Sequence, residues 1–566
     1  MHLANCFEPL SELAQHKNIS KSRLSYGTAG FRANADETPL DSVMFRVGCL
    51  IGLRSRALGG AVCGVMVTAS HNGPEDNGVK MVEPDGSMLD PTWENLADNA
   101  INAKSTNELR LILEGIPLVA SASPVGRVFI AYDTRSSSER LVQCVIRGCD
   151  SVNAHIENYG LVSTPVLHHI VRHCNGFGHN ITMASVEGYS RMLKEGIIES
   201  LGPDSSVANR GALVIDVAGG VGCQVLSRVL SGENNLANLL RQKLGISEIQ
   251  IANESTNPHV ELNEKCGAEF VQKKRQPPGL NFGPDGSGTK IGSSRVASFD
   301  GDADRLVYSY THPRRGWRLL DGDKIATLYA LFINTELNKL GKLPLSVGLV
   351  QTAYANGAST YYVSKVMKDS AIEIKLAKTG VKFVEHEAKN FDIGMYFEAN
   401  GHGTVIFSNK AVEVLESHRP KSNKLLGFYK LINQAVGDAI SDCLGVETVL
   451  AALNMSVEQW DSLYEDLPSR QGKIAISDRT LIKCTEDETR IITPSSLQSE
   501  IDSLVAKFGA HARAFVRPSG TEDAARVYAE AETTEKANEL AFEVAKAAWR
   551  SVGKQGSVQP AAKDYL

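Results

Sequence analysis

The sequence predicts an α/β protein of several similar domains, with a smaller α+β domain at its C-terminal end. Three observations carry this expectation. Short apolar runs alternate with longer helical patterns before residue 400. Several of these runs end in a polar or glycine-rich loop that opens a helix, and such loops at the carboxyl ends of strands are where open α/β sheets bind ligands. After about residue 510 the pattern changes to two short strands, a polar turn between them and one closing helix.

In chain order, strands are expected over Ala61–Val67, Arg127–Ala131, Ala212–Val217 and Ser346–Val350. Each is a run of apolar residues short enough to be a buried strand rather than a helix. Two of them lead into Asp133-Thr134-Arg135-Ser136 and Ala218-Gly219-Gly220-Val221-Gly222. Cys144 and Cys149 fall in a helical pattern. Gln272–Arg295, rich in Gly, Pro and Ser, reads as an inserted mobile loop. Arg513–Val516 and Ala525–Ala531 read as the paired strands of the last domain, followed by a helix over Glu535–Val552. The last dozen residues, QGSVQPAAKDYL, are expected to fray.

Bulk properties narrow the function. The chain has 566 residues, 42% of them hydrophobic and 22% charged, with a net charge of −6. That is an ordinary soluble composition, and its sign argues against nucleic acid or an acidic membrane as the main partner. No obligate protein partner is evident. The ten cysteines include no C-x-x-C pair, so reduced and mostly buried thiols are expected. The start, MHLANCFEPL, lacks the charged and apolar regions of a signal peptide. No stretch is apolar for long enough to span a membrane. A cytoplasmic protein is expected.

Four loops carry residues suited to chemistry. In VMVTASHNGPEDNGVK (Val65–Lys80) an apolar strand ends beside Ser70 and His71. The pair is either a polar turn or a site where Ser70 carries a phosphoryl group. The strongest cluster is Asp300-Gly301-Asp302-Ala303-Asp304-Arg305, three carboxylates alternating along a strand-to-strand turn. A hard divalent cation with oxygen ligands removes their repulsion. An EF-hand is excluded, because Arg305 stands at the sixth position where glycine is needed and Thr311 at the twelfth where glutamate is needed.

Arg517-Pro518-Ser519-Gly520-Thr521-Glu522-Asp523, with Arg526 beyond, is either a phosphate loop or a hairpin turn with a capping serine. Glu398-Ala399-Asn400-Gly401-His402-Gly403 is either a sugar-gripping loop or a glycine-flanked turn. Tyr26–Arg32 is a weak phosphate-loop signal. Gly283–Lys290 imitates a nucleotide-binding loop, but its Lys and Thr are in the wrong order.

Taken in order, TASHN at Thr68–Asn72, DGDADR at Asp300–Arg305, EANGHG at Glu398–Gly403 and RPSGTED at Arg517–Asp523 resemble the α-D-phosphohexomutase superfamily. Ala303 and the EAN sugar loop resemble its eukaryotic phosphoacetylglucosamine branch. The resemblance runs nearly the whole chain. It implies four domains around a central cleft: three similar mixed-sheet α/β domains and a smaller C-terminal α+β domain. Their expected ranges are 1–190 with the phosphoserine loop, 191–306 with the metal loop, 307–450 with the sugar loop and 451–566 with the phosphate loop.

The resemblance further implies a phosphosugar substrate and Mg²⁺. The expected activity interconverts the 6-phosphate and 1-phosphate of N-acetylglucosamine through a phosphoserine and a 1,6-bisphosphate, with a glucose or mannose phosphomutase as the alternative. Ser70 would carry the phosphoryl group and share Mg²⁺ with Asp300, Asp302 and Asp304. The sugar would meet Glu398, Ala399 and Asn400. The phosphate that is not reacting would meet Arg517, Pro518, Ser519, Gly520, Thr521 and Arg526. His71, Lys80 and Arg32 are the candidates for proton transfer, and Arg is a poor proton carrier at neutral pH. One departure is Gly73, where the family places Pro; its backbone freedom is expected to loosen the serine loop.

Overall fold

The computed structural model describes residues 23–27, 30–35, 40–118, 125–177, 181–202, 207–232, 236–282, 295–520, 523–554 and 556–565. The chain groups into two compact units. One comprises residues up to Gly322 with Asn400–Ile406 and Val412–Val457; the other comprises Asp323–Ala399, Phe407–Ala411 and Glu458–Leu566.

The first unit holds two five-stranded mixed sheets. The first sheet contains β1 (Phe31–Asn34), β2 (Val62–Val67), β3 (Asp76–Val82), β4 (Gly126–Tyr132) and β5 (Ala154–Leu161), in the order β1-β3-β2-β4-β5. β2 is its centre, antiparallel to β3 and parallel to β4. Both faces of β2 are covered and all six residues are buried, which explains an unbroken apolar run where a half-exposed strand would alternate. Helices Leu40–Ala57 and Ser138–Ser151 pack together on this sheet. Their backbones come close because of two glycines. A Cβ on Gly48 would lie 2.1 Å from the Val145 carbonyl oxygen, and one on Gly148 would lie 2.0 Å from that of Phe45. Cys144 and Cys149 are buried in the second of these helices, as expected.

The second sheet contains β6 (Leu213–Asp216), β7 (Ile249–Ala252), β8 (Arg295–Phe299), β9 (Leu306–His312) and β10 (Gly316–Leu320), in the order β10-β9-β8-β6-β7. β8 and β9 form an antiparallel pair, so Asp300–Arg305 is the turn of a hairpin.

In the second unit β11 (Val347–Thr352) pairs in parallel with both β12 (Ile372–Ala377) and β13 (Ile393–Phe397). After β13 the sugar-loop sequence leads to β14 (Gly403–Phe407). The last sheet is antiparallel, with β19 (Ala524–Glu530) between β15 (Ser469–Ala475) and β18 (Arg513–Pro518). A small pair, β16 (Lys483–Cys484) and β17 (Ile491–Thr493), lies beside β18. Helices Ser495–Val505 and Thr534–Val552 close the core of this α+β layer.

The expected strands and the closing helix occur within two residues of their anticipated ends. Two expectations change. Part of the stretch expected to fray is held: Ala562–Tyr565 forms a 3-10 turn against the final helix and Trp549 Nε1 donates to Ser557 Oγ at 3.0 Å, while Val558 is 91% exposed and Gln555 and Leu566 lie outside the described residues. The expected loop Gln272–Arg295 begins inside helix Gly267–Lys274 and ends in β8. Its central residues 283–294, including the rejected Gly283–Lys290 imitation, lie outside the described residues. So do Thr28, Ala29 and Thr521.

Candidate active site

The serine loop leaves the centre of the first sheet. Ser70 is buried, with φ at +56°, a left-handed conformation that costs a non-glycine residue about 1 kcal/mol. Its N–H donates to Thr68 Oγ1 at 2.8 Å, and Thr68 Oγ1 donates to Asp133 Oδ2 at 2.6 Å. Asp133 also accepts from Arg135 Nε at 3.0 Å. Arg135 then reaches the loop's carbonyls: Ser70 and Asn72 at 3.0 Å each, Asp76 at 2.8 Å, and Gly73. The loop is therefore tied at four carbonyls despite Gly73.

The side chain of Ser70 faces the triad. Its Oγ donates to Asp302 Oδ1 at 2.8 Å and stands 3.4 Å from Asp300 Oδ2. Asp300, Asp302 and Asp304 are all buried, and one oxygen from each lies within 4.8 Å of the others. Asp300 Oδ1 accepts the N–H groups of Asp304 and Arg305 at 3.0 and 3.2 Å. Thr164 Oγ1 donates to Asp302 Oδ2 at 2.6 Å. Lys80 Nζ donates to both Asp302 Oδ2 and Asp304 Oδ2 at 2.7 Å. Ala303, with φ at +58°, turns the chain between the carboxylates.

This donor set fits a hard cation. It consists of oxygens only, and Asp304 Oδ1 is buried with no hydrogen-bond partner among the described residues. The protonation pattern agrees. Burial, then Asp304 and Asp302, push the Asp300 carboxyl well above the usual carboxylate range. Burial would raise Asp304 as well, but Lys80 and His402 outweigh it and hold that carboxyl well below the range.

The three proton-transfer candidates all lie in this unit and differ in character. Burial alone would lower Lys80, but Asp302 and Asp304 outweigh it and keep the ammonium above its ordinary value. Burial, then Arg305 and Arg32, push His71 well below its ordinary value. His71 Nδ1 is buried with no hydrogen bond among the described residues, and Nε2 lies 3.8 Å from Glu269 Oε1. Arg32, on β1, is lowered by burial and by the Arg305 charge, while the three aspartates oppose this.

The sugar-loop sequence divides. Glu398 and Ala399 belong to the second unit and are half-buried, whereas Asn400–Ile406 belongs to the first. Asn400 Oδ1 accepts the His402 N–H at 2.9 Å. Gly401 is tightly constrained: a Cβ there would stand 1.9 Å from the Leu306 carbonyl oxygen. His402 places Nδ1 3.4 Å from Asp304 Oδ1.

In the second unit Arg517 on β18 is directly opposite Arg526 on β19, which is directly opposite Lys473 on β15. Like charges opposite one another destabilise a sheet, so this row is suited to an anion. Arg517 Nε donates to Tyr354 Oη at 3.1 Å, its guanidinium lies 5.3 Å from the Tyr354 ring centre, and Glu488 is 3.6 Å away. Ser519 is buried and its N–H donates to the Ala524 carbonyl at 2.7 Å, closing the turn; Gly520 is exposed. A cavity of about 970 Å³ reaches Pro518 and is lined by Lys375, Lys378, His386 and Glu488 among others.

Comparison with known proteins adds to this geometry. Residues 321–455 match the family model for phosphoacetylglucosamine mutase AMG1, domain III. Residues 50–108 and 99–187 match that for phosphoglucomutase/phosphomannomutase, alpha/beta/alpha domain I, and residues 481–547 that for the C-terminal domain. The human phosphoacetylglucosamine mutase is 43% identical over 558 residues, covering 96% of this chain and 97% of that protein. The chain belongs to the phosphoacetylglucosamine mutase family.

Among solved structures, the Aspergillus fumigatus N-acetylphosphoglucosamine mutase in complex with GlcNAc-6P and magnesium is 38% identical, with a TM-score of 0.87 over 97% of this chain and 99% of that one. A serine-to-alanine form of the same fungal enzyme, in complex with glucose 1,6-bisphosphate, is 37% identical, with a TM-score of 0.85 over 98% of this chain and 99% of that one. Membership establishes the fold of four α/β-type domains anticipated from the sequence. It also establishes the enzyme class, a mutase of the phosphohexomutase superfamily.

Sequence reasoning missed several residues at the family's serine centre. Thr68, Asp133, Arg135, Thr164, Asn263 and His402 all bond to the serine loop or lie against the triad. Thr68 and His402 lie inside the quoted TASHN and EANGHG motifs without a role assigned to them, Asp133–Ser136 carried a signal as a polar loop at a strand end, and Thr164 and Asn263 carried none. Near the phosphate loop, Tyr354 and Lys473 were missed as well.

Proposed function

We propose that this chain interconverts N-acetylglucosamine 6-phosphate and N-acetylglucosamine 1-phosphate, supplying the route to UDP-N-acetylglucosamine. Ser70 is the phosphoryl carrier and a sugar 1,6-bisphosphate is the intermediate. The observation that carries this reading is Ser70 Oγ, 2.8 Å from Asp302 within a buried cluster of three aspartates, in a chain of this family. The fungal relative's complexes with GlcNAc-6P, magnesium and glucose 1,6-bisphosphate support it.

Asp300, Asp302, Asp304 and Ser70 are the residues that would hold Mg²⁺. Bound there, the ion withdraws charge from the phosphoryl group in transfer and from the departing serine oxygen. Lys80, an ammonium shared by Asp302 and Asp304, offers a second cation to the same group. Arg32 adds a third. In the first half-reaction the Ser70 O–P bond breaks and a bond forms from phosphorus to a sugar hydroxyl oxygen. The hydroxyl proton passes to His71, whose ring is neutral and whose Nδ1 has no partner among the described residues. In the second, the other phosphate moves to Ser70 and His71 returns the proton to the sugar oxygen released. Lys80 suits this task less, because its carboxylate partners keep it protonated.

Glu398, Ala399 and Asn400 are assigned to the sugar hydroxyls in both orientations. Arg517, Pro518, Ser519, Gly520, Thr521 and Arg526 are assigned to the phosphate that is not reacting. One functional loop then falls in each of the ranges 1–190, 191–306, 307–450 and 451–566. No described helix is long and apolar enough to cross a membrane, and a cytoplasmic enzyme without nucleic-acid, membrane or obligate protein partners is the reading we adopt.

Mass spectrometry of the purified protein tests this directly. A phosphate adduct localised to Ser70 is expected. Turnover should clearly favour N-acetylglucosamine 6-phosphate over glucose 6-phosphate; the reverse preference would assign the chain to glucose chemistry.

A further inference from the structure

The carbonyls of Ser70 and Asn72 each receive two donors, and the donors come from different sheets. Arg135, from the loop after β4 in the first sheet, donates Nη2 to both at 3.0 Å. Asn263, from the segment after β7 in the second sheet, donates Nδ2 to the same two oxygens at 2.9 and 3.0 Å. A carbonyl oxygen has two lone pairs, so on each oxygen both are filled, one by each sheet.

Asn263 is itself firmly placed. Its φ is +59°, and its N–H donates at 2.9 Å to the carbonyl of Ala218, another left-handed residue with φ at +55°. The triad loop presses on the same point. A Cβ on Gly301 would stand 2.6 Å from the Ser70 oxygen and 2.9 Å from Asn263 Nδ2, so only glycine leaves room for the amide. Nothing in the chemistry proposed above uses Asn263.

We propose that Asn263 is a positioning residue for the reacting serine. Its carboxamide links the serine loop to the sheet that carries the aspartates, and so aims Ser70 Oγ at Asp302. The physical reason is the strained backbone. A left-handed serine stays left-handed only while its surroundings hold it. Rotation of the peptide after Ser70 would swing the Oγ off the triad. Arg135 ties the loop to its own sheet; among the described residues Asn263 alone ties these two carbonyls to the other. The inference rests on Ser70 as the phosphoryl carrier.

Asn263→Ala and Asn263→Asp test it together. The first removes the donor; the second keeps the shape but turns a donor into an acceptor facing two carbonyls. Misplacement by about 1 Å can cost about 100-fold in rate. Each variant should therefore lower kcat by roughly 10- to 100-fold, with KM for N-acetylglucosamine 6-phosphate within about twofold of wild type. The single-turnover rate at which glucose 1,6-bisphosphate loads Ser70, followed by intact-protein mass spectrometry, should fall in parallel. Asn263→Gln, which retains a donor on a longer arm, should recover part of the loss.

A purely structural role would lower the melting temperature and leave kcat and loading of the folded fraction untouched. That result, or wild-type loading in Asn263→Ala, overturns the inference while wild-type protein still takes phosphate at Ser70. Wild-type protein that takes none removes both the carrier reading and the role given to Asn263.

Discussion

The serine centre of the first unit and the Arg517 loop of the second, to each of which the proposed function assigns a phosphate, are built differently. Around Ser70 the backbone of the loop is closely held. Ser70, Asp300 and Asp302 are at most 1% exposed, and four carbonyls of the loop are bonded to one arginine. Arg517 makes one hydrogen bond to Tyr354 and one to the carbonyl of the next residue, with Glu488 3.6 Å away, in a row of cations across three strands. A reacting oxygen must be aimed closely, whereas a phosphate that only needs holding can be met by long charged arms. The first region should therefore respond to mutation in kcat, and the second in KM.

The sharpest break is Ser70→Ala. It should remove turnover by more than about a thousandfold, because the proposed function loads the phosphoryl group on this hydroxyl. Melting temperature should hardly move. Retained activity, with phosphate found elsewhere on the chain, would end the distinction at its root.

Asp300→Asn follows. Burial and two neighbouring carboxylates already disfavour charge on Asp300, and asparagine Oδ1 can still accept from Asp304 and Arg305. Metal-free protein should be unchanged or stabilised by about 1 kcal/mol. Turnover in saturating Mg²⁺ should fall at least about 100-fold, as it should for wild type treated with chelator until Mg²⁺ is restored. A large loss of metal-free stability would show that the triad is a structural cluster rather than a site awaiting a cation.

Arg517→Ala probes the other side. The loss of a charged hydrogen bond is worth about 1.5–3 kcal/mol, so KM should rise by roughly 10- to 100-fold with kcat within a few-fold. A fall in kcat at constant KM would mean that the loop acts on the transition state, and the two regions would no longer differ in kind.

This contrast also explains what was legible in the sequence. The three aspartates, the serine and the RPSGT turn are contiguous motifs with unusual chemistry, so they could be read directly. Strand β4 and the paired strands Arg513–Pro518 and Ala524–Glu530 followed from apolar runs and turns, and a helical pattern was visible around Cys144 and Cys149. The residues that aim Ser70 were another matter. Thr164 and Asn263 come from separate stretches far from the serine motif, and each is a common residue in a common loop. Only the fold brings them to one point. The row Lys473–Arg526–Arg517 depends on strand register, which a single sequence does not display. The held part of the C-terminal tail was missed for a related reason. Its polar composition suggests fraying, but Trp549 offers it a surface and an N–H donor.

The smallest effect at working pH comes from two histidines behind the serine centre. Helix Thr164–Cys174 begins with the threonine that bonds Asp302. One turn on, His168 Nδ1 donates to the Gly86 carbonyl at 2.6 Å, and His169 Nε2 donates to that of Met183 at 2.8 Å. Burial pushes His168 down to about 4 and His169 down to about 3. His168 also feels Lys80, Asp304 and His402; His169 feels His173 and Arg172. The unfolded chain binds these protons near its ordinary value of about 6.5, so it takes up more protons than the folded one as pH falls. Stability from the two neutral rings is complete above that value and is lost progressively toward pH 4 and then 3. Just below pH 6.5 the loss is slight; by pH 5.5 it is about 1 kcal/mol per ring. Melting temperature should therefore drop between pH 7 and 5. The drop should be shallower in His168→Gln, which keeps a donor for Gly86 without titrating. Because the same helix supports Asp302, turnover should fall with stability over this range, while the binding of phosphate by the Arg517 row should not. An unchanged slope in His168→Gln would place the acid sensitivity elsewhere, and equal loss of phosphate binding would erase the contrast between the two regions.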